Sequence, residues 1–318
     1  MKPALLAFFA ALIAGAAHAQ TWPQRHVSIV VGYAAGSGAD TVARFLAEEL
    51  RERTGQAFVV ENRPGAGGNL AAQAVARAAP DGYTLLVTAN STHGINPSTF
   101  KQLGFDPVKD FSPVTTLLTS GFALIVNPDT VPVSTVAELT AYLRARPGQL
   151  AYASGSASAL MGAALYRRLA GFDAVHIPYK SDPQALADLM GGRVHFMFTF
   201  GTLAFPAERA GKVRVLAVTS AQRMQAAPGV PTMGEAGVPD FELYGWLAAF
   251  FPAGTPREVA ERASALANAA MTSEKGRAFL AKIGSEPLPG SPESLAALVA
   301  SEIPKWSRLA RDAGIEPQ

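Results

Sequence analysis

Short runs of β-branched and apolar residues alternate along this chain with longer segments whose apolar positions recur every three to four residues. The run at 26–31 (HVSIVV) predicts a strand, and the apolar spacing over 41–53 predicts the helix that follows it. Residues 57–60 read as the next strand, ENRPGAGGN as a turn, 70–79 as a helix and 84–88 as a strand entered through Pro80-Asp81-Gly82. A second set begins after Phe111. Strands are expected at 123–126, 150–153, 175–177, 194–198 and 213–219, and helices at 160–169 and 183–190. A further helix should start from a Ser134 cap and run to Ala145, punctuated by Pro132 and Pro147. The segment 221–242 reads as a loop, and the alanine-rich tail from Pro256 as helical, broken at Gly276, Gly284 and 287–292. Strand–loop–helix–strand order repeated in this way is the signature of βαβ units on a mainly parallel sheet. Two such sets predict an α/β protein of two lobes with a cleft between them.

The N-terminus departs from that rhythm. Lys2 precedes an apolar run over 4–17 that is too short to span a bilayer, and Ala17-His18-Ala19 offers a small-x-small cleavage site. Residues 1–19 therefore read as an export signal cleaved after Ala19, which places the mature chain outside the cytoplasm. Removing nineteen residues from 318 leaves 299, enough for two cores. The formal charge falls from +2 to +1 with the loss of Lys2, and no basic run is dense enough to suggest nucleic acid or an anionic membrane surface. Cysteine is absent, which excludes disulfides, thiolate catalysis and zinc–thiolate or iron–sulfur sites.

In an open α/β sheet, ligands sit beyond the carboxyl ends of the strands, where loops deliver backbone amides and helix N-termini. Two loops have that form: Tyr33-Ala34-Ala35-Gly36-Ser37-Gly38-Ala39-Asp40 and Ser154-Gly155-Ser156-Ala157-Ser158. Each suits a carboxylate, although glycine and serine would also be expected merely to make the turn and cap the helix. ENRPGAGGNLAAQ imitates a dinucleotide fingerprint, but Leu70 stands at its closing position and Asp81 lies in a turn. No glycine-x-serine-x-glycine elbow or P-loop lysine occurs, and His93, His176 and His195 lack metal-ligand spacing. His176, alone in an apolar strand, reads as a core residue, whereas His93 follows a strand on the presumed ligand edge and is the likelier of the two to matter. No catalytic centre, metal site or cofactor site is assembled.

Several motifs resemble one family: VENRPGAGGNLAA with APDGYTLL, TANSTHGINPSTF, HIPYKSDPQALADLMGGRVHF, and LAVTSAQR with PGVPTMGEAGVPDFE and FPAGTP. Together these resemble the Bug family, the periplasmic solute-binding proteins of tripartite tricarboxylate transporters. The resemblance implies a type II periplasmic-binding fold, with lobe 1 at 20–122 plus 241–318 and lobe 2 at 123–240. It also implies a monomer that is not an enzyme, closes on a small organic carboxylate, and serves membrane permease subunits or a periplasmic sensor. An exported hydrolase on the same scaffold is a more distant alternative. The family's ligand carboxylate is held largely by amides and ordered waters from loops corresponding to Tyr33–Asp40 and Ser154–Ala157.

On that reading Tyr33 forms an apolar wall, and the amides of Ala35, Gly36 and Ser37 meet a carboxylate, with the Ser37 hydroxyl donating as well. Asp40 orients the loop. Asn90, Ser91 and Thr92 add polar groups from lobe 1, and Ser154, Gly155, Ser156 and Ala157 from lobe 2. Thr199 and Phe200 complete the floor, Tyr179 and Lys180 reach the rim, and Trp246 packs at the crossover. Asp182 either adds negative charge to the cleft or, preceding Pro183, caps the next helix toward solvent. The chain departs from the family pattern at Gly32, Gly36-Ser37, SASALMG and Ser181-Asp182, changes that bear on the ligand geometry and not on the fold.

Overall fold

A computed structural model describes residues 22–317 except 242 and 313. The export segment and its cleavage site lie outside the described residues. The first strand, β1 (Val27–Val31), is apolar on both faces and lies between β2 (Phe58–Asn62) and β3 (Thr84–Ala89), parallel to both. Helix α1 (Gly38–Thr54) connects β1 to β2 and buries Val42, Ala43, Leu46, Ala47 and Leu50, an apolar stripe at helical spacing. It starts at an Ser37 cap and stops at Gly55, whose φ of 72° suits glycine. After β2 a single 3-10 turn (Ala66–Gly68) leads into α2 (Asn69–Ala76). A π-type turn (Ser91–Ile95) then follows β3 and runs into α3 (Asn96–Thr99).

The strand expected at 123–126 is the end of a much longer one, β4 (Phe111–Val126). It changes partners midway. Up to Gly121 it pairs with β9 (Tyr244–Pro252), and from Phe122 it pairs with β7 (Phe196–Phe200) and, from Ala123, β8 (Arg214–Val218). One strand thus joins two half-sheets, in the order β2-β1-β3-β9-β4 and then β4-β7-β5-β6. Pairing is parallel in the outer parts and antiparallel where β4 and β9 cross, so the sheet is mixed. Thr219 ties the crossings together: its hydroxyl accepts from the Phe122 amide at 2.7 Å and donates to the Leu243 carbonyl at 2.6 Å.

The second half-sheet carries α4 (Val136–Arg144), β5 (Ala151–Ser154), α5 (Ala157–Ala170), β6 (Val175–Pro178), α6 (Asp182–Met190) and α7 (Gly201–Arg209). The cap of α4 is Thr135, not the expected Ser134. Thr135 Oγ1 accepts from the Glu138 amide while the Ser134 amide donates back to Glu138, a capping box displaced by one residue. Helices α8 (Arg257–Met271) and α9 (Glu274–Lys282), strand β10 (Ser285–Pro287) and the long α10 (Pro292–Asp312) return to cover the first half. Among the described residues, no helix is long and apolar enough to cross a membrane.

Candidate functional site

Four helix N-termini from both half-sheets, those of α1, α5, α6 and α7, converge on one small cavity. Its empty volume is about 440 Å³. Tyr33, Ser37, Gly38 and Ser91 line it from the first half, and Ser156, Asp182, Phe200 and Thr202 from the second. Leu118, Leu247 and Val42 complete an apolar wall. The halves touch beside it: Ser91 and Ser158 hydroxyls lie 2.8 Å apart, and Ser158 Oγ donates to Asn90 Oδ1 at 3.1 Å. A larger cavity borders it through Ser156, between the Pro64–Gly67 turn and the loop after β5.

The first loop is held by its own carboxylate. Asp40 Oδ2 accepts from the Gly36 amide at 2.9 Å, and Ser37 Oγ accepts from the Asp40 amide at 3.3 Å, which is a reciprocal cap. Asn62 clamps the same loop by donating to Asp40 and to the Tyr33 carbonyl. Burial would raise the Asp40 pKa, but hydrogen bonds from Arg44, Gly36 and Asn62 outweigh it and hold the carboxyl below its ordinary value. The Ser37 amide donates to Ala34 O at 3.1 Å. The amides of Gly36 and Ser37, expected to meet a ligand, are therefore engaged inside the loop, and Ala35 and Gly36 are exposed. What the loop presents to the cavity is the Ser37 hydroxyl and the first turn of α1 at Gly38 and Ala39, where helix geometry leaves amides without an intrahelical acceptor.

The glycine-rich turn after β2 supports this wall. The Tyr33 hydroxyl and Thr92 Oγ1 are 3.0 Å apart. A Cβ on Gly68 would come within 2.6 Å of Thr92 Oγ1 and 3.5 Å of the Tyr33 ring, so only glycine lets the turn pass beneath them.

The second loop is more tightly constrained. A Cβ on Gly155 would lie 2.1 Å from the Asp182 amide nitrogen and from the Ser181 carbonyl carbon. The Asp182 carboxylate accepts from the Gly155 amide at 3.1 Å and from Ser156 Oγ at 3.3 Å, and Ser156 Oγ also caps α5 by accepting from the Ala159 amide. Of the two expectations for Asp182, the solvent-facing cap is corrected: its carboxylate folds back across the second loop and lines the cavity. Burial pushes its pKa up to about 6, against the opposing hydrogen bonds from Gly155 and Ser156.

The other candidates divide into those at a cavity and those beneath one. Tyr33, Ser37, Ser91, Ser156 and Phe200 line the small cavity. Ser154, Gly155, Ala157, Tyr179 and Lys180 line the larger one, where the Tyr179 hydroxyl donates to Asp188 at 2.8 Å. Asn90, Thr92 and Thr199 are fully buried and line neither. Trp246 is buried against the first half's core. Thr202 and Ser285 were not anticipated from the sequence, and Gly38 and Ala39 only as members of the first loop. Thr202 and Gly38 belong to helix starts that carry no Ser or Asp beacon of their own beyond the Ser37 cap.

The histidine assignments are reversed. His93 lies fully buried behind the site, stacked on Phe250 at 4.2 Å with Phe111 edge-on at 4.7 Å, and neither ring nitrogen has a partner among the described residues. Burial pushes its pKa down to about 3. His176 lies on an outer strand, part-exposed, with Nε2 2.7 Å from Ser154 Oγ, and it lines the larger cavity.

Comparison with known proteins decides what this geometry belongs to. The sequence profile described as "Tripartite tricarboxylate transporter family receptor" matches residues 42–315. The chain belongs to this family, the Bug family of solute-binding proteins. Among solved structures it is similar to Rpa4515 of R. palustris, solved with adipate (36% identity, TM-score 0.91, covering 94% of this chain and 100% of that one). It is similar to the periplasmic binding protein BugD (33%, TM-score 0.88, 93% and 100%). It is also similar to MatC of Rhodopseudomonas palustris, solved with malate (34%, TM-score 0.85, 91% and 99%). The family consists of periplasmic binding proteins, and the fold is the two-lobed α/β one its motifs implied. The chain is a solute-binding protein and not an enzyme.

Proposed function

We propose that this Bug-family protein captures a small carboxylate-bearing organic molecule by lobe closure in the periplasm and delivers it to the membrane subunits of a tripartite tricarboxylate-type transporter. The observation that carries this reading is the convergence of helix N-termini from both half-sheets on one cavity. Each contributes partial positive charge and amide donors, and the arrangement is complete only when the halves meet. The crossings at Gly121–Phe122 and around Thr219 and Leu243 serve as the hinge, with lobe boundaries at 122/123 and 240/241. Adipate in Rpa4515 and malate in MatC support a carboxylate as the cargo class.

Thermal-shift titration of the mature protein with mono-, di- and aminocarboxylates, adipate and malate among them, tests the proposal. A ligand that binds only the folded chain must raise its melting temperature in a concentration-dependent way. A flat response to every carboxylate contradicts the assignment.

Ser37 offers a more local check. Its Oγ accepts the Asp40 amide and leaves its hydrogen free to donate into the cavity. Ser37→Ala should lose about 1 kcal/mol of stability through the cap. By calorimetry it should also bind its carboxylate several-fold more weakly, since a hydrogen bond contributes roughly 0.5–1.5 kcal/mol net. A stability loss with unchanged affinity would assign the hydroxyl to capping alone.

A further inference from the structure

Among the described residues, Asp182 is the only charged side chain that lines the small cavity, with no Lys, Arg or His there to answer it. Its carboxylate already occupies the donors that the second loop would otherwise offer an incoming anion, the Gly155 amide and the Ser156 hydroxyl. The chain has supplied its own carboxylate to that half of the site. With a pKa of about 6, the group is ionised at pH 7.5 and has no cationic partner among the described residues. A second carboxylate about 6 Å away, at an effective dielectric near 20, would be repelled by roughly 3 kcal/mol.

The opposite wall has the complementary character. The Ser37 hydroxyl and the first turn of α1 present donors and the positive end of a helix dipole, and no acidic side chain of the first half lines the cavity. Thr202 Oγ1, which lies against Gly38 at the start of α1, is buried without a partner among the described residues and can donate its hydrogen to a carboxylate seated there. One wall therefore suits a carboxylate, and the other suits a group with several N–H donors.

From this juxtaposition we infer that the ligand is an aminocarboxylate, its carboxylate seated at the start of α1 beside Thr202 and its ammonium held by Asp182. The inference rests on the solute-binding function proposed above and narrows its ligand class. It separates this chain from relatives whose structures hold the dianions adipate and malate. An ammonium carries three donors and no acceptor, which matches the spare lone pairs of a carboxylate already bonded on one side. The charge-assisted bond to Asp182 removes the uncompensated charge that burial disfavours. Ser156 borders both cavities, so a longer carbon chain has room to extend toward the larger one.

The test is calorimetry on the mature protein at pH 7.5 with ligands matched in carbon number. At four carbons the probes are butyrate, 2-aminobutyrate, 4-aminobutyrate and succinate. At six they are hexanoate, 2-aminohexanoate, 6-aminohexanoate and adipate. An aminocarboxylate should bind at least tenfold tighter than its matched mono- and dicarboxylate. Asp182→Asn, which keeps an acceptor for the Gly155 amide, should abolish that preference and, by removing the repulsion, strengthen monocarboxylate binding about tenfold or more. A dicarboxylate binding best to the wild type overturns the inference and leaves the carboxylate-binding function standing. So does an amine preference that survives Asp182→Asn. If none of the eight binds, the inference fails, while the carboxylate-binding function stands or falls on the thermal-shift series. The wild-type ranking is decisive by itself, so the test stands even if the variant does not fold.

Discussion

Gly155→Ala should destabilise the protein by about 3 kcal/mol or more and eliminate carboxylate binding. The added Cβ would sit 2.1 Å from backbone atoms of Ser181 and Asp182, where no flexible side chain can yield. Relief requires α6 to withdraw from the loop after β5, which breaks the Gly155–Asp182 hydrogen bond and pulls the carboxylate out of the cavity. Overpacking against rigid neighbours costs roughly 1–3 kcal/mol and occasionally more, and here the obstruction is main chain. Gly36→Ala is the informative control. Gly36 has a φ of 79° with open space around its missing Cβ, so alanine there meets only the left-handed backbone penalty of roughly 1–2 kcal/mol. Urea unfolding and thermal shift on both variants measure the contrast. Equal effects at the two positions would mean that the contact between the second loop and α6 is not tight.

Acid should weaken the wild type more than a His93→Phe variant. In the folded chain His93 is held neutral, with its pKa near 3 instead of the ordinary 6.5. A base whose folded pKa is depressed contributes full stability above 6.5 and loses it as pH falls toward 3, because the unfolded chain takes up the proton first. Between pH 7 and pH 4 this one residue should remove about 3 kcal/mol. Phenylalanine fits the same stack against Phe250 and Phe111, has no proton to bind, and eliminates two buried nitrogens without partners. Denaturant unfolding at the two pH values should therefore show a smaller pH dependence in His93→Phe by about that amount. Identical slopes would show that His93 is solvated or hydrogen-bonded in the native state.

The alternation of strand and helix was legible because each element carries its own period and its own punctuation. Helix α1 is the clearest case, with a serine cap, an apolar stripe and a closing glycine. What was not legible came from tertiary demands. β4 looked like a short strand since only its end is set off by turn residues, and its sixteen residues pass from one half-sheet to the other. β9 (YGWLAAFFP) has no alternation to read, being buried on both faces between β3 and β4. α7 was hidden by Pro206, which reads as a breaker but is accommodated inside the helix.

At the site, both loops and the hydroxyls of Ser37 and Ser156 were legible from strand–Gly/Ser–helix order. The occupation of their amides was not. Asp40 satisfies the first loop from four residues along, whereas Asp182 satisfies the second from 27 residues away across the sheet. That pairing depends on β5 and β6 lying side by side, which local sequence does not encode. The two histidines misled for a similar reason. His93 follows a strand but turns inward through the π-type turn, while His176 stands on an outer strand whose partner Ser154 begins the functional loop.

The central claim is that a carboxylate-bearing ligand draws the two halves together around the cavity. Small-angle X-ray scattering of the mature protein, with and without the tightest-binding carboxylate of the thermal-shift series, tests it most directly. The account predicts a smaller radius of gyration and maximum dimension at saturation, with a curve matching the closed arrangement in which Ser91 meets Ser158. An unchanged scattering curve at saturating ligand would contradict it.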